Sequence, residues 1–424
     1  METSSLKPTL ENVLKSNNVK RAWQRVKRNH GAPGVDGMST EEFPEYACKS
    51  WKEVRLELED SKYLPAPVLR VEIPKRSGGQ RALGIPTVVD RVIQQAISQV
   101  LTPVFDPCFS ESSFGFRPER SAQDAARKVS ELKAQGYRVA VEVDLEKFFD
   151  KVKHDILMHL VAKKVTDKPL LKLIGKYLRA GVQIDGVKQP TKIGVPQGGP
   201  LSPLLSNIVL DVLDKELEAR EHKFVRYADD FVILVKSERA GTRVQASITQ
   251  FLAKRLKLPV NQEKSGVVKA DKISFLGFTF RGNKLQWTKN AFRELEYNLK
   301  RLSSRSWGVS FEYRIFKLNQ YIRGWTNYFG IAQGYQVLVD TDSWLRRRLR
   351  ACLWKQWRYA RTKVRELTKL GFDLKLAIRH AMSRKSYWRL SKTLATHSGL
   401  TNEWFEQQGL CSMKTIWVQI HYPS

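Results

Sequence analysis

Apolar and polar positions change period several times along this chain, and each change marks a different kind of element. Residues 6–28 keep a helical spacing with basic residues on one side, so a helix is expected there. Gly31-Ala32-Pro33-Gly34-Val35-Asp36-Gly37 follows, and that density of glycine and proline cannot continue a helix. Residues 68–73 alternate as a strand does, Ser77-Gly78-Gly79 reads as a hairpin turn, and the chain returns through Arg81-Ala82-Leu83. Val92, Ile93, Ala96, Ile97 and Val100 give residues 90–101 a helical face. Val139, Val141 and Val143 share one face of a predicted strand, and residues 147–160 then read as a helix. Leu204, Leu205, Ile208, Val209, Val212, Leu213 and Leu217 recur at helical spacing. The apolar runs 224–227 and 231–235 flank Ala228-Asp229-Asp230, which predicts a hairpin. Beyond about residue 290 the pattern is helical and basic, with ten Lys or Arg against two Asp or Glu over 341–370. Strands interleaved with helices, then helices alone, predict an α+β body followed by an all-helical domain.

Composition adds a partner class. The 424 residues suggest two to four structural units at ~100–200 residues per domain, and 42% hydrophobic content is enough for real cores. Lys and Arg number 73 against 43 Asp and Glu, a formal net charge of +30. Such an excess opposes compaction by self-repulsion, and a polyanion, most commonly nucleic acid, is its usual reason. Cys48, Cys108, Cys352 and Cys411 are scattered without paired spacing, so no disulfide framework and no zinc site are expected. Residues 1–18 lack the apolar core of a signal peptide, and no run approaches the ~20 apolar residues of a membrane span. A cytoplasmic location, with no membrane partner, is the expectation.

Candidate chemistry lies at strand ends. Asp144 closes the strand 139–143, and Asp229 and Asp230 sit in the turn between two apolar runs. An Asp-Asp pair in a turn is also ordinary turn chemistry. Three carboxylates held at strand ends are, however, what phosphoryl transfer through two divalent cations requires, and hard oxygen donors suit Mg2+.

Three blocks occur in the order found in reverse transcriptases: Val143-Asp144-Leu145-Glu146-Lys147-Phe148-Phe149-Asp150, Val195-Pro196-Gln197-Gly198-Gly199-Pro200-Leu201-Ser202-Pro203, and Tyr227-Ala228-Asp229-Asp230. Further segments resemble the compact, endonuclease-less class of bacterial group II intron reverse transcriptases and maturases. They are Tyr63-Leu64-Pro65-Ala66-Pro67, Ile73-Pro74-Lys75, Arg81-Ala82-Leu83-Gly84-Ile85-Pro86 and Phe114-Gly115-Phe116-Arg117-Pro118. Asn261-Gln262-Glu263-Lys264-Ser265, Phe275-Leu276-Gly277-Phe278 and Tyr321-Ile322-Arg323-Gly324-Trp325-Thr326-Asn327-Tyr328-Phe329 extend the likeness over nearly the whole chain.

The resemblance implies a right-hand polymerase, with fingers and palm followed by a helical thumb. It divides the chain into an N-terminal extension (1–50), fingers (51–135), palm (136–285), thumb or maturase domain (286–370) and a basic C-terminal region (371–424). Asp144, Asp229 and Asp230 become the catalytic residues, ligating two Mg2+ ions with the carbonyl of Leu145. Lys75, Arg81, Phe149 and Gln197 are expected to bind the deoxynucleoside triphosphate, with Phe149 excluding a ribose 2′-hydroxyl. Gly198, Gly199, Tyr227 and Lys264 are assigned to primer and template. Arg346, Arg347, Arg348, Arg350, Lys355 and Arg358 are expected to face an RNA backbone. The aromatic residues of 321–329 suit core packing better than a ligand role. Partners implied are group II intron RNA, an RNA template with DNA primer, and target DNA. A domesticated reverse transcriptase without an intron, and an RNA-binding splicing cofactor without polymerase activity, are the alternative readings.

Overall fold

The computed structural model describes residues 7–74, 80–282 and 284–423, with only the backbone at Arg81. The chain forms two units, Met1–Ala270 and Asp271–Ser424.

The first unit is α+β and holds two four-stranded sheets. In the larger, Val139–Val143 is central, flanked by Asp230–Val235 and Gly266–Lys269, with Lys223–Tyr227 outermost, all antiparallel. Val139, Ala140, Val141 and Val143 are all buried, so this strand is covered on both faces. Each of the buried valines contributes roughly 1.5–3 kcal/mol by leaving water. Helices Ser202–Ala219 and Glu238–Phe251 supply apolar partners, including Leu213, Leu217 and Ile248.

The smaller sheet pairs Val68–Pro74 with Gln80–Ile85 antiparallel. The expected hairpin is therefore present, while its turn and Lys75 lie outside the described residues. Val182–Ile184 joins Val68–Leu69 in parallel and Val187–Gln189 closes the edge, two strands that the sequence pattern did not announce. Helix Val88–Phe105 follows in sequence, capped by Thr87, whose hydroxyl accepts from the Asp90 amide. Buried Asp90 ties this region together by accepting from Tyr63 Oη (2.8 Å), Tyr177 Oη (3.1 Å) and the Ala66 amide (3.1 Å).

Two predicted helices are broken. Residues 6–28 split into Leu10–Leu14 and Ser16–Arg28 at Lys15, whose ψ of 129° is non-helical. Buried Asn18 compensates by donating Nδ2 to the carbonyls of Val13 and Ala96. The 147–160 segment splits into Phe148–Lys151 and His154–Ala162. Here Val152 and Lys153 pair with Ile193 and Gly194, so a long-range contact overrides local helical preference.

The second unit opens with a three-stranded sheet, Ser274–Phe275, Phe278–Arg281 and Lys284–Trp287, and is otherwise helical. Trp325 is 7% exposed and packs on Phe329 at 4.9 Å, while Phe278 meets both Phe329 and Tyr328. The aromatic cluster of helix Phe311–Phe329 thus serves the core. No helix among the described residues is long and apolar enough to cross a membrane.

Candidate active site

The three carboxylates lie at one end of the larger sheet. Val143 pairs with Phe231, so one further step along that antiparallel ladder sets Asp144 opposite Asp230. Tyr227 pairs with Asp230, leaving Ala228 and Asp229 as a two-residue hairpin turn. Asp229 is half-buried and Asp230 exposed, so both reach solvent.

That turn is strained and externally held. Ala228 sits at φ 57°, a left-handed conformation costing an alanine roughly 1 kcal/mol. Arg226, fully buried, donates Nη1 to the Ala228 carbonyl at 3.0 Å. Its Nε donates to both carboxylate oxygens of Asp214 (2.8 and 3.0 Å), and its remaining donors reach Asn207 Oδ1 and Ser113 Oγ. On the opposite side Ser113 bridges Arg226, and the Phe114 amide donates to the Arg226 carbonyl at 2.8 Å. This brings Gly115 so close that a Cβ there would lie 2.2 Å from the Ala228 amide nitrogen. Arg117, also buried, staples the segment by donating to Asp106 and to the carbonyls of Ser110 and Ser113. The motif Phe114-Gly115-Phe116-Arg117-Pro118 is therefore a buttress for the aspartate turn. Arg226, Asp214 and Asn207 were absent from the sequence-based site. No local signal marks them, because Arg226 reads like a surface arginine and its partners lie far away in sequence.

Asp144 is held from its other side. Its amide donates to Ser265 Oγ at 3.0 Å, and its carbonyl accepts from the Asn261 amide at 2.9 Å. The Asn261–Ser265 segment thereby carries Lys264, whose Nζ stands 4.0 Å from Asp144 Oδ2. Leu145 is buried and bridged to Val260. Phe148 is 1% and Phe149 8% exposed, and their rings pack edge to face at 5.2 Å. The Phe149 carbonyl accepts from the Val195 amide, which joins the first catalytic block to the Gln197-Gly198-Gly199 block.

Gly198 has φ 121°, and a Cβ there would fall 2.4 Å from the Gly84 carbonyl oxygen. The Gly84 amide in turn donates to the Gln197 carbonyl at 2.7 Å. Glycine is thus required by the close approach of the two backbones, and Gly199 packs beside Gln94. Tyr227 is half-buried, 6.4 Å from the exposed Phe116 ring. The Arg81 backbone pairs with Ile73, while its side chain and Lys75 lie outside the described residues.

Carboxylate oxygens at one sheet end suit a hard divalent ion. Among the described residues no three carboxylate, imidazole or thiol groups already cage an ion, and Asp144, 40% exposed, is faced by Lys264 instead. The donor set fits an ion that takes part of its ligation from substrate phosphates rather than an all-protein cage.

In the second unit the basic residues divide. Lys355 and Arg358 are exposed, and Arg346, Arg347 and Arg348 half-buried. Arg350 departs from the expected backbone-facing role. It is 4% exposed, its Nε donates to the Leu400 carbonyl at 2.9 Å, and its guanidinium lies over Phe405. Burial holds its pKa down, at about 10.

The fold is of the reverse transcriptase type, and carboxylates at the end of its larger sheet suit a template-dependent nucleotidyltransferase. Residues 73–280 match the reverse transcriptase (RNA-dependent DNA polymerase) family, and residues 292–371 match the group II intron maturase-specific domain. The chain belongs to the reverse transcriptase family, in the group II intron branch that carries a maturase domain. It is 32% identical over 301 residues to protein YkfC of Escherichia coli, covering 62% of this chain and 78% of that protein. To the group II intron-encoded protein LtrA of Lactococcus lactis it is 29% identical over 326 residues, covering 61% of this chain. The chain spans about half of LtrA, 54% of its length. Among solved structures, a partial Cas6-RT-Cas1–Cas2 complex is 26% identical with a TM-score of 0.38, covering 58% of this chain and 42% of that one. So low a score carries no argument. The matched family is one of RNA-dependent DNA polymerases, and enzymes of this family use divalent metal ions.

Proposed function

We propose that this chain synthesises DNA on an RNA template from deoxynucleoside triphosphates, and that as a maturase it binds a parent group II intron RNA to assist splicing and mobility. The observation that carries the polymerase reading is the register setting Asp144 opposite Asp230, beside a turn built to present Asp229. Asp144, Asp229 and Asp230, with the Leu145 carbonyl, would hold two Mg2+ ions. When bound, these supply activation of the primer 3′-hydroxyl and neutralisation of the departing pyrophosphate.

The protein's own groups bind and orient. Lys75 and Arg81, on the fingers hairpin, are proposed to take the triphosphate, Arg as a fork and Lys as a point charge. The Phe149 ring would close the sugar site to a 2′-hydroxyl, and Gln197 would lie along the nascent pair. Gly198, Gly199 and Tyr227 line the primer end, with Lys264 on a template or primer phosphate. Arg346, Arg347, Arg348, Lys355 and Arg358 would face intron RNA. The fingers, palm and thumb are proposed at 51–135, 136–285 and 286–370.

Primer extension on an RNA template with Mg2+ tests this directly. Wild type yields full-length DNA, and Asp229→Ala yields none while retaining affinity for the template–primer. If neither protein extends a primer but both bind intron RNA tightly, the polymerase reading fails and a splicing cofactor remains.

A further inference from the structure

The second unit contains a cavity of about 640 Å3, bordered by the end of helix Lys289–Leu302, helix Tyr335–Gln356 and the short helix Tyr387–Leu390. Sites for small molecules span ~300–1,000 Å3. Four cations line it, Lys300, Arg305, Arg348 and Lys355, and no carboxylate does. Among the described residues, none of Lys300, Arg305 and Lys355 stands in an ion pair with a carboxylate. Three rings share the wall, Trp344, Tyr387 and Trp388.

The cations are crowded and partly fixed. Arg348 donates Nε to Ser303 Oγ at 2.6 Å and Nη2 to the Lys300 carbonyl at 3.0 Å, with its guanidinium 5.1 Å from the Trp344 ring centre. Arg305 stands 5.9 Å from the Tyr387 ring, and Arg347 stacks on Trp388 at 3.7 Å. Burial lowers the Arg348 pKa, and the neighbouring charge of Arg305 lowers it further. Like charges gathered without a counter-charge are relieved by an anion. Cations beside aromatic rings select an anion joined to a planar ring, the chemistry of a nucleotide.

We propose that this cavity takes a single unstacked nucleotide of an RNA strand, its phosphate on Lys300, Arg305 and Lys355 and its base against Tyr387 and Trp388. The proposal rests on the reading of this chain as an RNA-binding protein. An RNA strand is favoured over a free nucleotide because Arg301, Arg384, Lys385 and Arg389, close in sequence to the lining residues, are all exposed. They offer phosphate contacts on which a mononucleotide makes no demand. The cavity is distinct from the aspartate site of the first unit.

Two RNA hairpins of equal stem length, one fully paired and one with a single-nucleotide bulge, test it on the full chain at fixed salt. Wild type should bind the bulged hairpin about tenfold tighter, as one base stack predicts. Trp388→Ala and, separately, Arg305→Glu should lose that preference while keeping affinity for the paired hairpin and full primer extension. Trp388→Phe, which retains a ring, should restore most of it. Equal affinity of wild type for both hairpins, or an unchanged preference in both variants, overturns the proposal. Adenosine monophosphate separates the sources. If it quenches wild-type tryptophan fluorescence while the bulge gives no advantage, the cavity takes a free nucleotide and the RNA assignment is wrong. A wild type that binds neither hairpin overturns the RNA-binding reading as well, an outcome distinct from loss of the bulge preference alone.

Discussion

Arg226 donates Nη1 to the carbonyl of Ala228 at 3.0 Å, so a buried guanidinium directly shapes the turn that carries Asp229. The same guanidinium is neutralised by Asp214, itself fully buried on helix Ser202–Ala219. Removing one member of a buried pair leaves an uncompensated charge, which costs about 3–5 kcal/mol. Asp214→Ala should therefore lower the urea midpoint of the first unit by that order. It should also depress kcat more than KM for the template–primer, since the turn is displaced and the nucleic-acid surface is not. Unchanged kcat in a folded Asp214→Ala would sever the link between the buried network and the aspartate turn.

The space around Gly115 gives a second handle. Adding a methyl there drives a carbon to 2.2 Å from the Ala228 backbone, whereas Gly266, on the opposite edge strand of the larger sheet, has open space around it. Gly115→Ala should cost about 1–3 kcal/mol through overpacking and reduce primer extension strongly. Gly266→Ala should be close to silent in both assays. Equal behaviour of the two variants would show that the Phe114–Pro118 segment does not buttress the site.

The basic helix Tyr335–Gln356 and its continuation separate two kinds of arginine. Arg358 is exposed, and Arg358→Ala should weaken RNA binding and reduce the slope of log affinity against log salt by about 1. Arg350 donates to the Leu400 carbonyl inside the core, and Arg350→Ala should lower the melting temperature with no change in that slope. Thermal melts and binding titrations across a salt series read both outcomes. A slope change in a stably folded Arg350→Ala would return that residue to the RNA interface.

A pH effect follows from Asp211. Burial, and secondarily the charge of Asp214, raise its carboxyl pKa from 3.8 to about 6, and its Oδ1 has no hydrogen-bond partner among the described residues. The folded state binds this proton more tightly than the unfolded chain, so the ionised group opposes folding above about pH 6, and that cost vanishes below about pH 4. Asp211→Asn should stabilise the first unit by about 1–2 kcal/mol at neutral pH, after allowance for solvent screening of a half-buried group. The gain should shrink steadily as pH falls through that window, measured by urea unfolding. A constant gain across pH would assign the effect to packing instead of ionisation.

Local pattern determined much of this protein. The strand ending at Asp144, the hairpin around Asp229 and the helical, basic stretch beyond about residue 290 follow from periodicity, turn chemistry and charge within short windows, while the order of the three sequence blocks carries the family resemblance. What distant segments had to supply could not be read that way. The register setting Asp144 opposite Asp230 depends on pairing between strands more than eighty residues apart. The neutralisation of Arg226 depends on Ser113, Asn207 and Asp214, and nothing in its own neighbourhood distinguishes it from a surface arginine. Arg350 and Arg358 look alike in a basic run, yet only tertiary packing decides which is enclosed. Lys15 and Val152 interrupt helices because buried side chains or a neighbouring backbone capture the freed groups. A short window reports which face of an element is apolar. It carries no information on which polar group will be satisfied across the fold, because that free energy belongs to pairs the chain brings together only on folding.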